Sequence, residues 1–306
     1  MREKIIKTIR KIKDVLVEDA TINEPLQVFD ITVEDNHNYF IKVDEQTTIL
    51  SHNCLEFVVK EIIGPVVVMS KVTSLIPELK IIRTGIKFKI SKLWTYSISN
   101  MLKDKDRNQF IVEQVMEDLK EHPCIIIPTD RVEHVNLLKN LINDEAIKRG
   151  LIPRSQNLAF TFYGGMTPQA KKDSLDKIET GECRVLVSMR SMIKQGIDMR
   201  KPTMLYSIIP ETGTKEAGSP MFLQLSNRPC TPHLDKKQPI VKIFVDDTDL
   251  STACFKSLFT NEIKPNLVPS ARNNFGVRYK IAEDQKKITY DIMTPKKQVF
   301  PGGFIF

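Results

Sequence analysis

Between residues 1 and 19, Ile5, Ile6, Ile9, Ile12 and Leu16 recur at near-helical spacing, though the density of Ile, Val and Thr also suits a strand. From Val28 the rhythm shortens. VFDITV alternates, EDNHN is a turn cluster, YFIKV alternates again, and DEQTT leads into ILSHNC, which predicts a compact β unit ending near residue 53. Beyond it, GPVVVMS and LKIIRTG predict strands, while residues 86–106, with the only tryptophan, Trp94, carry little pattern. RNQFIVEQVMEDLKEH predicts an amphipathic helix, PCIIIPTD a short buried strand, and EHVNLLKNLINDEAIKRG a helix closed by Gly150. LAFTFYGG reads as a strand, followed by Thr167 as N-cap and Pro168 opening the helix PQAKKDSLDKIETG. CRVLVS, TMLYSII and PIVKIFVD are further buried strands, and the tail from Pro269 to Phe306 reads as a hairpin ending in the loop PGGFIF.

Strands alternating with helices at this spacing predict an α/β fold, a parallel sheet covered on both faces, preceded by the small β-rich unit. The 306 residues allow two domains of ~150 residues. With 41% hydrophobic and 27% charged residues, a sizeable core can form and global disorder is excluded. No apolar run approaches the ~18 residues of a membrane span. The basic start, MREKIIKTIRKIKDV, lacks the unbroken apolar centre of a signal peptide. Five cysteines (Cys54, Cys124, Cys183, Cys230, Cys254), odd in number and without a C-x-x-C pair, argue against a disulfide framework and a zinc site. A reducing, cytoplasmic setting follows, with no metal site and no membrane partner. Charge is uneven: residues 1–53 carry 7 basic and 10 acidic side chains, leaving 38 and 28 in the rest, so the larger portion suits a polyanion.

The densest chemistry is His52-Asn53-Cys54, with His37 and Asp30 upstream. An asparagine side-chain amide can attack its own backbone carbonyl, closing a succinimide and cutting the chain after itself. Histidines near neutrality can supply the donor and the base, and a following cysteine can carry an acyl group as a thioester. These residues resemble the C-terminal splicing blocks of inteins. Val28-Phe29-Asp30, Val33, His37 and Phe40 match one block, with one extra residue before the aromatic unless Tyr39 fills that place, and Ile49-Leu50-Ser51-His52-Asn53-Cys54 matches the other. The resemblance implies that Asn53 cyclises, His52 activates its carbonyl and His37 is a second acid-base. It further implies that Asp30 coordinates the steps and that Cys54 is the first extein residue and branch nucleophile. Residues 1–53 have neither the N-terminal nucleophile nor the T-x-x-H block of an intein, so they are expected to be a C-terminal fragment beginning at Met1. Such a fragment splices in trans or is a truncated product that cannot splice.

Residues 54–306 resemble the second RecA-like domain of superfamily-2 helicases, in particular phage-encoded DNA helicases. CIIIPTDRVEH resembles motif IV. FYGGMTPQAKKDSLDKIETGECRVLVS resembles the strand-helix-strand leading into motif V, ending at Gly196-Ile197-Asp198. FLQLSNRP resembles motif VI, with Gln224 and Arg228 matching its glutamine and first arginine. Asn227 replaces a glycine there and Thr231 stands where a second arginine is expected, leaving Arg228 as the matched finger. The resemblance implies ATP and Mg²⁺ in the assembled enzyme, Arg228 as arginine finger, and Gln224, Gly196 and Asp198 on the nucleotide side. Thr129, Ser188 and Arg190, at predicted strand ends, would meet DNA phosphates. No G-x-x-x-x-G-K-[ST] run occurs; Gly213 to Ser219 lacks its lysine, and Asp144-Glu145 lies within a predicted helix as a solvated face.

The combined expectation has four parts: 1–53 an intein C-fragment, 54–80 the connection from a missing first motor domain, 81–250 the RecA-like domain, and 251–306 a C-terminal helix and tail. The expected partners are DNA and a separate N-terminal half carrying the intein N-fragment, Walker A and the DExx box. A phage-encoded chain would work in the host cytoplasm. The competing reading is a non-enzymatic nucleic-acid-binding or partner-docking RecA-like domain with an inactive intein remnant.

Overall fold

Alternation within residues 38–52 becomes an antiparallel hairpin. Strand β1 (Asn38–Lys42) pairs with β2 (Thr48–His52), Asn38 opposite His52 and Phe40 opposite Leu50. The computed structural model describes residues 38–42, 48–52, 75–194, 199–213, 221–233, 236–267 and 279–294. Met1–Val72 and Thr73–Phe306 form two separate units. The expected strand GPVVVMS and the helix or strand at residues 1–19 lie outside the described residues.

The second unit is built on seven parallel strands: β3 (Glu78–Arg83), β4 (Ile125–Thr129), β5 (Ala159–Phe162), β6 (Val185–Met189), β7 (Met204–Ser207), β8 (Ile240–Val245) and β9 (Lys280–Ile281). Their order across the sheet is β5-β6-β4-β7-β8-β3-β9. Every residue of β4, β7 and β8 is buried, as a strand covered on both faces requires. Side chains alternate between the faces, so Ile125 and Ile127 join one core and Ile126 the other. Helices α1 (Trp94–Lys103), α2 (Lys105–Asp118) and α3 (Val132–Lys148) cover the first face through Met101, Ile111, Val115, Leu138 and Ile142. Helices α4 (Pro168–Thr180), α5 (Arg190–Lys194), α6 (Met221–Ser226), α7 (Asp249–Leu258) and α8 (Glu283–Met293) cover the second through Ile178, Ile193, Phe222, Phe255 and Ile292.

The chain steps one way along the sheet from β3 to β4 to β5 using helices of the first face. It then steps back through β6, β7, β8 and β9 using helices of the second. Right-handed crossovers demand this exchange of face when direction reverses. The reversal leaves a crevice at the C-terminal end of β4, where the connection after β4 and that after β7 diverge to opposite faces.

Local signals hold where they were clear. The Thr167 hydroxyl accepts the Ala170 N–H at 3.2 Å, Pro168 opens α4, and Gly181 closes it at φ +84°, a conformation only glycine takes without strain. Glu145 pairs with Lys148 and Arg149 on an outer face of α3, so Asp144-Glu145 is helix surface. One unpatterned stretch takes on structure and one expectation is corrected. Residues 94–103 form α1 despite Thr, Tyr, Ser and Ile, all modest helix formers, because Ile98, Met101 and Leu102 bury against the sheet. The tail is not a hairpin in its described part: β9 pairs with β3 in parallel, and α8 follows. There the Gln285 side-chain oxygen accepts the Ile81 N–H at 2.9 Å, closing a free position on the β3 edge.

Candidate functional site

β4 delivers Thr129 and then Asp130 to the switch-point crevice, and its parallel neighbour β6 delivers Ser188, in register with Pro128, followed by Arg190. β7 opposite contributes Ser207 and, beyond it, Glu211. Arg190 Nε and Nη2 bind Asp130 in the two-pronged geometry that guanidinium and carboxylate share, at 2.5 and 2.7 Å. Its Nη1 reaches Glu211 Oε1 at 3.3 Å. One guanidinium is thus shared by two carboxylates. Burial pushes Glu211 up to about 7, opposed by Arg190 and by a hydrogen bond from Ser207 and assisted by Asp130. Close to it, on a π-helical turn after α7, Glu262 is buried without a side-chain donor to its oxygens, and the Leu223 backbone N–H only weakly favours its charged form. Burial, reinforced by the charge of Glu211, pushes Glu262 up to about 8.

A second buried network holds the edge together. Arg107 Nε bridges both oxygens of Asp246 at 3.0 and 3.1 Å, and its Nη2 donates to the Ile208 carbonyl. Both side chains of the Arg107–Asp246 pair are fully buried. The Thr84 hydroxyl donates to Asp246 at 2.8 Å, so the ends of β3, β7 and β8 are tied to α2. Beside it, Thr129 Oγ1 lies 2.7 Å from His134 Nδ1, and His134 Nε2 lies 2.9 Å from Asn108 Oδ1. Asn108 Oδ1 only accepts, which puts the His134 proton on Nε2 and makes Thr129 the donor to Nδ1. Burial, then the charge of Arg107, lowers His134 to about 3, so the ring is neutral at physiological pH.

The structure therefore brings Thr129, Ser188 and Arg190 to adjacent strand ends, but it does not present them alike. Thr129 is fully buried and its hydroxyl serves His134, away from any strand outside. Ser188 is fully buried, with an Oγ lacking any hydrogen-bond partner. Arg190 is half-buried and its guanidinium is engaged by carboxylates, which oppose a second anion. Gln224 lies on α6, a neighbour of α5, and Arg228 opens the 3₁₀ turn Arg228–Cys230 four residues later; both are half-buried. Asp30, His37, Asn53, Cys54, Gly196 and Asp198 lie outside the described residues, and for His52 only the backbone position in β2 is described. Asp130 and Glu211 were not singled out in the sequence; a charged residue just past a buried strand was the available signal. Among the described residues no cluster of three His, Cys, Asp or Glu side chains could hold a metal ion, and no helix is long and apolar enough to cross a membrane.

For a nucleotide, these residues offer one side only. Arg228 can supply a cation, whereas Asp130 and Glu211 already engage the Arg190 guanidinium, and the sequence has no phosphate-cradling glycine loop with its lysine. ATP and Mg²⁺ do not fit this chain alone.

No protein-family model matches the chain, and no curated protein matches it. Among solved structures, it is similar to Mycobacterium smegmatis helicase Lhr bound to ssDNA and AMP-PNP, at 15% identity and a TM-score of 0.43, over 63% of this chain and 22% of that one. It is similar to S. cerevisiae Dbp5 bound to RNA and ADP BeF3, at 12% identity and a TM-score of 0.42, over 72% and 46%. It is also similar to T4 UvsW, at 13% identity and a TM-score of 0.46, over 69% and 42%. The chain thus spans less than half the length of each of these three proteins.

Proposed function

We propose that residues 54–306 are the C-terminal half of an ATP-dependent superfamily-2 DNA helicase, and that residues 1–53 are an intein C-fragment that joins it in trans to a separate N-terminal half. The observation that carries the motor reading is the placement of the three sequence blocks. They fall in order on β4, on β5-α4-β6 and on α6 with its 3₁₀ turn, two of them ending at the switch-point edge of a parallel sheet. In such a motor, phosphoryl transfer is mostly positioning and charge stabilisation. Arg228 would stabilise the transferring phosphoryl group from across the domain cleft, while the absent half holds the phosphates and Mg²⁺. The Arg107–Asp246 network keeps the strand ends rigid under that load.

The hairpin supports the splicing reading. Asn38, which follows His37, pairs with His52, which precedes Asn53. In the reaction the Asn53 side-chain nitrogen attacks the Asn53 backbone carbonyl carbon. The bond to the Cys54 nitrogen breaks, that nitrogen takes the proton, and a succinimide remains on residue 53.

The test is intact-mass spectrometry of the chain mixed with a candidate N-terminal half. A ligated product beginning its second part at Cys54 is expected, and Asn53→Ala should abolish release of residues 1–53. A partner that binds and leaves the mass unchanged would refute splicing. The joined protein should hydrolyse ATP, with Arg228→Ala lowering kcat by roughly 10³-fold or more. ATP hydrolysis by the unjoined chain would refute the division of labour.

A further inference from the structure

The connection after β3 and the start of α1 form a surface that the proposed motor roles leave unused. From Arg83 to Lys103 the sequence has five basic residues (Arg83, Lys87, Lys89, Lys92, Lys103) and no acidic one. All five are exposed. Among them stand large apolar side chains that the core does not cover: Ile90, Leu93, Trp94 at 45% exposure and Tyr96 at 62%. Tyr96 and Lys103 lie seven residues apart in α1, on one helical stripe opposite the buried Ile98 and Met101.

This surface is held in shape. The Ser91 N–H donates to the Ser97 hydroxyl at 2.8 Å, that hydroxyl lies 3.1 Å from the Ser91 carbonyl, and the Asn100 amide donates to the Lys89 carbonyl at 2.8 Å. Phe88 and Ile98 are buried beneath, and the Asp247 N–H holds the Ile86 carbonyl at 2.8 Å. Asp247 sets one carboxylate 3.6 Å from the exposed Lys87 ammonium, leaving Lys89 and Lys92 as the outer cations. Exposed aromatic rings on a rigid basic segment are what a single strand needs: stacking platforms for bases, with cations for the phosphates between them. A protein partner fits less well, because lysine is depleted from the cores of protein interfaces.

We infer that Lys87, Lys89, Lys92, Trp94 and Tyr96 form a stacking surface for single-stranded nucleic acid. It extends the helicase reading along the same sheet edge: β3 lies four strand spacings from β6, roughly 19 Å from the Arg190 end.

Trp94 is the only tryptophan in the chain, so its fluorescence reports on this surface alone. The full chain is titrated with labelled oligothymidylate and, separately, oligouridylate, following label anisotropy and tryptophan emission together. Tryptophan quenching with the same midpoint as the anisotropy change is expected for at least one of the two. Trp94→Ala with Tyr96→Ala should weaken binding roughly ten- to hundred-fold. Replacing Lys87, Lys89 and Lys92 by Gln should lower the slope of log affinity against log salt by about 2. Circular dichroism checks that these exposed substitutions leave the fold intact. Oligonucleotide binding without quenching, and unaltered in the double variant, would overturn the surface while leaving the motor reading to its own ATP-hydrolysis test. Absence of binding to both oligonucleotides would also overturn it. Quenching by the N-terminal motor half and by neither oligonucleotide would overturn it in favour of protein docking.

Discussion

Glu262→Gln should stabilise the protein in a pH-dependent way. Glu262 is 3% exposed, and burial with the neighbouring Glu211 charge raises its carboxyl from an ordinary 4.5 to about 8. The folded state therefore holds the proton more tightly than the unfolded chain does. Its contribution to stability is complete below about pH 4.5 and is lost as pH rises through about 8. Relative to an unfolded chain that ionises freely, the loss is small at about pH 5 and on the order of 3 kcal/mol larger at about pH 8.5. Glutamine has the same shape and no charge to desolvate, so it escapes this loss. Any constant effect of the amide appears equally at both pH values and cancels in the difference. For a domain of this size each kcal/mol moves Tm by about 2–4 °C. Thermal melts of both proteins should thus show the variant gaining roughly 6–12 °C on the wild type between the two pH values. A Tm difference that is the same at both would refute the buried, proton-holding carboxyl.

Other perturbations test the remaining networks. Arg107→Leu should cost about 3–5 kcal/mol in urea unfolding, since it strands Asp246 in the core, and adding Asp246→Leu should recover part of that loss. Thr129→Val removes the donor to His134 Nδ1 and should cost about 1–3 kcal/mol with nucleic-acid affinity unchanged; a loss of affinity at full stability would instead place that hydroxyl on a phosphate. Thr167→Ala should cost about 1 kcal/mol by uncapping α4, read as a shift in urea midpoint with an unchanged slope.

The elements legible in advance were those whose signals are local. PCIIIPTD and PIVKIFVD are apolar throughout because both faces of β4 and β8 are covered, and that pattern survives in sequence. Thr167-Pro168 and Gly181 act within a few residues of themselves, so α4 could be bounded before folding. The first turn of α1 could not, since its N-cap Leu93 offers no side-chain acceptor and the helix depends on contacts with a distant sheet. β9 is two residues long and pairs with a strand some 200 positions earlier, and no local pattern encodes such a partner. At the site, strand ends were predictable but orientation was not. Whether Thr129 faces outward or toward His134 depends on α3 packing over β4, and whether Arg190 is available depends on Asp130 and Glu211 arriving from two other connections.

By itself the sequence determined the alternation of strand and helix, the acidic N-terminal and basic C-terminal portions, the order of the blocks on that alternation and the His-Asn-Cys run. Each resides in residue type and short-range spacing. Tertiary structure alone decided which side chains share a charge. It set Asp130 and Glu211 around one arginine, closed Arg107 on Asp246 across the ends of three strands, and left Trp94 and Tyr96 uncovered among lysines. Such pairings depend on desolvation and on distances between strands far apart in the chain, quantities that come into existence only when the sheet assembles.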